Sequence, residues 1–378
     1  MTATTSADEA RYALALACIP RLGPVAVRRL HATHGDARVA FALAAPDERA
    51  AAHALHESDT RRSACASRGI DIVALFDPRY PSALRDLEDP PIVLYTLGTL
   101  ALTRTPSVAL VGSRRATAYG RLVVRDFARR LAARGICVVS GLAMGIDAEA
   151  HSAALDGHGP TVAVQGTGVD VAYPRSNASL HARIARDGLV LSELPPGSPA
   201  HPGAFPRRNR LIAALADVIV VVEAGVRSGA LITAQLGGEL GRVVAAVPGP
   251  IDVDASAGAN QLLRDGAQVV ASFDDLLSLL ALTRRGGALM GERIVACDDG
   301  PQERLTASDG PVDPASPEGK LLGVLAFGPR APDELVRVCG VSPREVGAAL
   351  ANLSMRGAVD IDPSGMVRRH GDARTLTG

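Results

Sequence analysis

SVALVG at 107–112, ICVVS at 136–140, TVAVQG at 161–166, LVLSE at 189–193, VIVVVE at 218–223 and VVAAVPG at 243–249 are six short apolar runs within one stretch of chain. Nearly every run ends in glycine, serine or another small or polar residue, and a helical pattern follows it. Runs of this kind, separated by helix-length segments, predict a parallel α/β sheet buried on both faces. In such a sheet the loops after the strand C-termini gather on one edge, where ligands bind. Those loops read VGSRRATAYG (111–120), SGLAMGID (140–147), QGTGVDVAYPRSN (165–177), SELPPG (192–197), FPRRNR (205–210) and EAGVRSGALITA (223–234). They are rich in glycine and arginine, lack a convincing catalytic set, and suit phosphate binding better than a reaction centre.

Each loop carries its own chemistry. Gly112 and Ser113 follow a strand, so their amides face an anion at the next helix N-terminus, with Arg114 in the turn. Arg121, Arg125 and Arg129 recur at i, i+4 on the helix that follows, and the preferred reading is a solvated surface. A dinucleotide fingerprint would need GxGxxG here, and only one glycine precedes Gly120, which disfavours NAD. Asp147 and His151 are also spaced i, i+4. With no nucleophile or second carboxylate beside them, helix capping and a packed histidine are preferred to a general base. Arg175 and Asn177 open another helix, where a phosphate gains from the dipole. FPRRNR places Arg207, Arg208 and Arg210 within four residues, with Phe205 expected to be buried beneath. Gly225, Arg227, Ser228 and Gly229 form a further helix start. Strand-end loops converge, so the arginines are expected along one groove. That arrangement fits an extended polyanion held by its backbone phosphates, with weak sequence preference.

Outward from the sheet, residues 8 to about 70 read as helical. CIPRLGPVAVRRLHATHGD resembles a helix-hairpin-helix, for which packing is favoured over DNA contact. Residues 71–105 are broken by prolines and are expected to wrap the edge of the main domain. Residues 283–317 are acidic and rich in Gly, Pro and Ser, and read as a flexible linker. From 318 to 370, three helical patterns and two extended pieces around Pro363 predict a winged helix-turn-helix. Its third helix offers Arg344, Asn352 and Arg356 but also Glu345, so DNA contact and protein contact weigh equally.

Composition narrows the class. The chain has 378 residues, room for two or three domains, and 47% apolar residues with 3% aromatics imply an Ala, Val and Leu core. Lys320 is the only lysine, so arginine carries the positive charge throughout. Formal net charge is zero, so a nucleic-acid partner has to be argued from local patches. The five cysteines are scattered without a CxxC pair, which suits a reducing cytosol and argues against a zinc ribbon. The N-terminus carries acidic residues where a signal peptide needs basic ones, and no apolar run nears 18 residues. A cytoplasmic protein with no membrane insertion is expected.

Six segments, VGSRRATAYG, SGLAMGIDAEAH, TVAVQGTGVDVAYPRSN, GLVLSELPPG, FPRRNRLIAALADVIVVVEAGVRSGALITA and GRVVAAVPGPIDVDASAGANQLLRDGA, together resemble the DNA-processing protein A family, also called Smf. The resemblance covers about 170 residues, with the motifs in order. It implies an α/β fold class: an extended Rossmann-like domain at 71–282, an N-terminal helical (helix-hairpin-helix or SAM-like) domain at 1–70 and a C-terminal winged helix at 318–370. It also implies a non-enzymatic role without cofactor or metal. Such proteins bind incoming single-stranded DNA during natural transformation, protect it, load the RecA recombinase onto it, and form homodimers. In the family, the arginine of the GSR turn and the basic residue after Tyr-Pro contact DNA, which places those roles on Arg114 and Arg175. With the loops read above, the expected DNA contacts are Gly112, Ser113, Arg114, Arg175, Asn177, Arg207, Arg208, Asn209, Arg210, Ser228 and Gly229. Gln165 and Met144 depart from the family pattern, and Met144 removes one polar or basic contact.

Two other classes compete. A phosphoribohydrolase-like enzyme acting on nucleotides would need a PGGxGTxxE loop where this chain has EAGVRSGALITA. Glu193 and Glu223 are then its only substitute acids, and Glu223 reads better as a strand end that orients a loop. A winged-helix regulator of duplex DNA would leave the large phosphate-lined domain without a task.

Overall fold

A computed structural model describes residues 6–283, 316–326, 328–355, 358–361 and 366–369. The chain divides into two compact units, 1–297 and 298–378. Apart from its ends, the expected linker at 283–317 lies outside the described residues.

The first unit begins with four helices: α1 (Ser6–Cys18), α2 (Pro24–His34), α3 (Ala37–Ala44) and α4 (Glu48–Ala66). Local chemistry sets their ends. Pro24 starts α2 at a position where its missing N–H is no loss, and Gly35 ends it in the left-handed region at φ 69°. Asp36 caps α3 by accepting from the Arg38 and Val39 amides, and Asp47 caps α4 by accepting from the Ala50 amide. Within the segment read as a helix-hairpin-helix, Gly23 and Pro24 form the turn between α1 and α2. Leu14, Leu16, Val27 and Phe41 from these helices share one apolar core with Tyr95, Leu142 and Val190 of the sheet region. The helices thus pack as a layer on the sheet.

The sheet has nine strands in the order β1-β2-β6-β5-β4-β3-β7-β8-β9. They are β1 (Asp71–Ala74), β2 (Val93–Gly98), β3 (Ser107–Gly112), β4 (Cys137–Ser140), β5 (Thr161–Val164), β6 (Leu189–Ser192), β7 (Val218–Glu223), β8 (Val243–Ala246) and β9 (Gln268–Val269). All six apolar runs of the sequence are parallel strands. Alternation explains their continuous hydrophobicity. Val108 and Leu110 of β3 face one core with Val218, Val220 and Val222 of β7, while Ala109 and Val111 face the other with Ile219 and Val221. The proline-broken segment does more than wrap the edge, because β1 and β2 extend the sheet as antiparallel strands, with Tyr95 opposite Ser192 of β6.

Crossover helices lie on both faces: α6 (Ala118–Ala132), α7 (Ile146–Asp156), α8 (Ala178–Asp187), α9 (Ala204–Leu215), α10 (Gly229–Glu239), α11 (Ala257–Arg264) and α12 (Phe273–Ala281), with the short α5 (Ser82–Arg85) before β2. Strand order runs one way from β3 to β6 and the other way from β7 to β9. The chain's topological switch point therefore falls between β3 and β7, where a doubly wound sheet opens a crevice.

The second unit contains α13 (Pro317–Leu325), α14 (Pro332–Cys339), α15 (Pro343–Met355) and the antiparallel pair β10 (Val359–Ile361) and β11 (Val367–Arg369), the expected winged helix. Leu321, Leu325, Leu335, Val346, Leu353, Val359 and Val367 form its own core, and Lys320 is exposed on α13. Glu345 is spent on a helix cap, since its carboxylate accepts from the Ser342 amide while its own amide donates to Ser342 Oγ. The side chains of Arg344, Asn352 and Arg356 lie outside the described residues.

Candidate nucleic-acid interface

A cleft of about 1070 Å³ lies at the switch point, between the loops that follow β3 and β7. One wall is the turn 112–117. The Ser113 amide donates to Glu223 O at 2.7 Å, and the Ile146 amide donates to Ser113 O at 3.1 Å. Thr117 donates its amide to the Glu223 carboxylate at 3.1 and 3.2 Å, and donates its hydroxyl to the same group. Glu223, at 2% exposure, thus ends β7 and clamps the turn, the role expected of it. Close packing leaves room for glycine alone. A Cβ on Gly112 would sit 2.7 Å from Glu223 O, and one on Gly145, which holds φ 78°, would collide with Ser113 O. A rigid turn therefore presents Arg114 and Arg115, both exposed and without a carboxylate partner among the described residues. The Arg114 guanidinium stands 5.6 Å from the centre of the Phe205 ring, and Phe205 lies 5.3 Å from Tyr173. Phe205 is half-buried and forms part of the cleft wall.

Below a small side pocket that Arg114, Met144, Tyr173, Pro174 and Phe205 help to line, the loops are tied together. Asn177 Nδ2 donates to Leu142 O at 3.0 Å and to Ala143 O at 3.3 Å, so its amide holds two loops in register. Arg175, next to Pro174, is exposed. Asp147 accepts from the amides of Gly141 and Ala143, and His151 Nδ1 lies 2.7 Å from Thr161 Oγ1. Burial, with Arg208 adding to it, pulls the His151 pKa down to about 3, and burial pushes that of Asp147 up. Both residues are packed, as the sequence reading preferred.

The FPRRNR arginines part company. Arg207 is exposed, with Nε 3.3 Å from Glu193. Arg208 is buried, and its Nη1 donates to Gly141 O at 2.6 Å and to Val164 O. Burial brings its pKa down to about 10. Asn209 is buried and donates to Gly229 O at 3.2 Å. Arg210 is buried against Glu193 at 2.6 Å, and burial pushes the Glu193 carboxyl up. Arg207 alone of the three arginines reaches the surface. Arg208 shares a face with Leu211, Ile212 and Leu215 at i+3, i+4 and i+7, and α9 is buried on every side from 208 to 215, so Asn209 and Arg210 are enclosed as well. Across the cleft, Ser228 caps α10 by accepting from the Ala230 amide, and Gly229 follows at the first helical position. Arg115, which the sequence reading did not single out, and Arg227, which it placed at a helix start but not among the expected DNA contacts, are both exposed and line the cleft. On the outer face of α6, Arg121 and Arg125 both pair with Glu149, and Arg129 is exposed. Among the described residues no cluster of His, Cys, Asp and Glu is placed to hold a metal, and no helix is long and apolar enough to cross a membrane.

Residues 71–281 match the family DNA recombination-mediator protein A, and residues 306–365 match the DprA winged helix domain. Protein Smf of Synechocystis is 37% identical over 306 residues, covering 76% of this chain and 77% of that protein. A putative DNA processing protein DprA of Mycobacterium tuberculosis is 50% identical over 192 residues, and the match spans 50% of this chain and 49% of that one. The X-ray structure of DNA processing protein A from Streptococcus pneumoniae superposes with a TM-score of 0.63 at 33% identity, over 71% of this chain and 97% of that one. The Helicobacter pylori protein, whose structure was described for its single-stranded DNA binding mode, gives 0.52 at 31% identity, over 59% and 96%. With the fold, the flanking modules and the switch-point loops all in agreement, the chain belongs to the DNA recombination-mediator protein A family.

Proposed function

We propose that this protein is a recombination mediator that binds single-stranded DNA along the C-terminal edge of its sheet. The observation that carries the reading is the clamped turn: Arg114 and Arg115 stand exposed at the mouth of a large cleft, held by Glu223 and unpaired with any carboxylate among the described residues. Charge kept free of internal partners at a rigid position is available to phosphate. Arg175, Arg207, Ser228 and Gly229 complete the surface, while Gly112 and Ser113, whose amide is spent on Glu223 O, shape the turn behind it. Arg208, Asn209, Arg210 and Asn177 act from behind it by fixing the loops. Family membership supports the further steps: protection of incoming DNA during natural transformation, loading of RecA onto it, action as a cytoplasmic homodimer, and no chemistry of its own. Glu193 is tied to two arginines and Glu223 to Thr117, which leaves neither free as a catalytic acid.

Binding to single-stranded oligonucleotides, followed by fluorescence anisotropy across a salt series, tests the reading. Log affinity should fall with log salt at roughly −0.7 per phosphate neutralised. The double variant Arg114→Ala/Arg175→Ala should weaken binding to all sequences and flatten that slope by about 1.4. Unchanged affinity would remove the groove from consideration. RecA filament formation on the bound strand should rise with wild-type protein and fail with the variant. Release of free base from nucleoside monophosphates would instead establish an enzyme.

A further inference from the structure

Gln165, directly after β5, lines the side pocket beside Arg114, yet it is only 3% exposed. Its backbone is fixed, because its amide donates to Leu191 O at 2.7 Å. Its side chain is half satisfied: Oε1 accepts from Thr167 Oγ1 at 2.6 Å, while Nε2 has no hydrogen-bond partner among the described residues. A buried donor left unpaired costs stability that an aliphatic side chain at the same place would not. The rest of the pocket suits a flat ring. Tyr173 and Phe205 stand 5.3 Å apart, centre to centre, with their planes 32° from parallel. Pro174 and the exposed Met144 line it as well. Gly166 keeps the space clear, since a Cβ there would press on the Phe205 ring at 3.0 Å. Arg114 lines the same pocket and Arg175 follows Pro174 in the chain, so a strand held by those two arginines passes its mouth.

We propose that this pocket takes one pyrimidine base of the bound strand and that Gln165 reads it, donating from Nε2 to the carbonyl at C2 of the ring. The proposal rests on the reading of the cleft as a single-stranded DNA site. Size selects a single ring. The pocket has about 40 Å³ of open space, room for about three waters, and the unbranched Met144 gives way to admit one ring edge but not two fused rings. Thymine and cytosine both carry the C2 carbonyl, so one donor serves both. Stacking on Tyr173 or Phe205 holds the ring without regard to its identity, and the hydrogen bond supplies the choice. The donor that the fold leaves unpaired then gains its partner on binding. Only one position of the strand is read in this way, while phosphate contacts hold the rest.

The test compares the full wild-type chain with Gln165→Leu on oligo-dT, oligo-dC and oligo-dA strands of equal length. The variant should lose about three- to tenfold in affinity for the two pyrimidine strands, the scale of one neutral hydrogen bond, and bind oligo-dA as the wild type does. Comparing the two proteins on the same strand cancels the differences in stacking and stiffness between the strands. The variant should melt at or above the wild-type temperature, because it loses a buried unpaired donor. A second measurement needs no variant: a single 4-thiothymidine within an oligo-dA strand should crosslink on irradiation to Met144, Tyr173 or Phe205, as located by mass spectrometry. Crosslinks only at other residues overturn the inference. So does an equal loss on all three strands, which makes Gln165 a support of the loop, or no loss on any, which leaves the pocket to water; both spare the DNA reading. Failure of the wild type to bind any of the strands overturns both.

Discussion

Glu223 is the residue on which the turn carrying Arg114 and Arg115 depends. Its carboxylate satisfies both the amide and the hydroxyl of Thr117 from a buried position. Glu223→Ala should lower stability by about 1–3 kcal/mol, the cost of a buried donor left unpaired, and should weaken single-strand binding because Arg114 and Arg115 lose their frame. Glu223→Gln keeps an acceptor and should recover most of both, as thermal unfolding and anisotropy would show. His151 sets a pH dependence. Its pKa falls from about 6.5 unfolded to about 3 in the fold, so the unfolded chain binds the extra proton between those values. Stability is then fully present above about pH 6.5 and declines as pH drops toward 3, by about 1.4 kcal/mol per unit. Asp147, shifted up, has the opposite sign: its contribution is present below its unfolded value and lost as pH rises through its folded one. His151→Gln should therefore flatten the fall in melting temperature between about pH 6.5 and 5. At this scale the sequence was only partly legible. Arg114 stood out because it occupies a strand-end turn. Arg208 was taken for a surface ligand because charge was weighed ahead of the helical period that turns it inward.

At the scale of elements the reading was easier, because parallel strands buried on both faces leave long apolar runs and little else looks like them. Segment 71–98 was harder. Its strands carry apolar runs too, IVALF and IVLY, but they sit among prolines, which favoured an irregular wrap over strands. Caps were legible too: Ser272 and Asp275 form a full capping box on α12. Ser272→Ala should cost about 1 kcal/mol, measured by chemical denaturation, without altering DNA affinity, since α12 packs into the core with Phe127 and Val220 and none of its residues lines the cleft.

Across the whole molecule, two units with separate cores imply separable functions. A fragment ending at residue 283 should keep the melting temperature and the single-strand affinity of the intact protein. Loss of that affinity would move DNA binding to the winged helix. Lys320, exposed on α13, has a practical consequence. As the only lysine in the chain, it offers amine-directed reagents one side-chain target, on the second unit. An ester-linked dye or surface tether would attach there and leave every arginine of the cleft unmodified. A lysine-specific protease has one site, within α13, so cleavage there reports on the folding of the second unit.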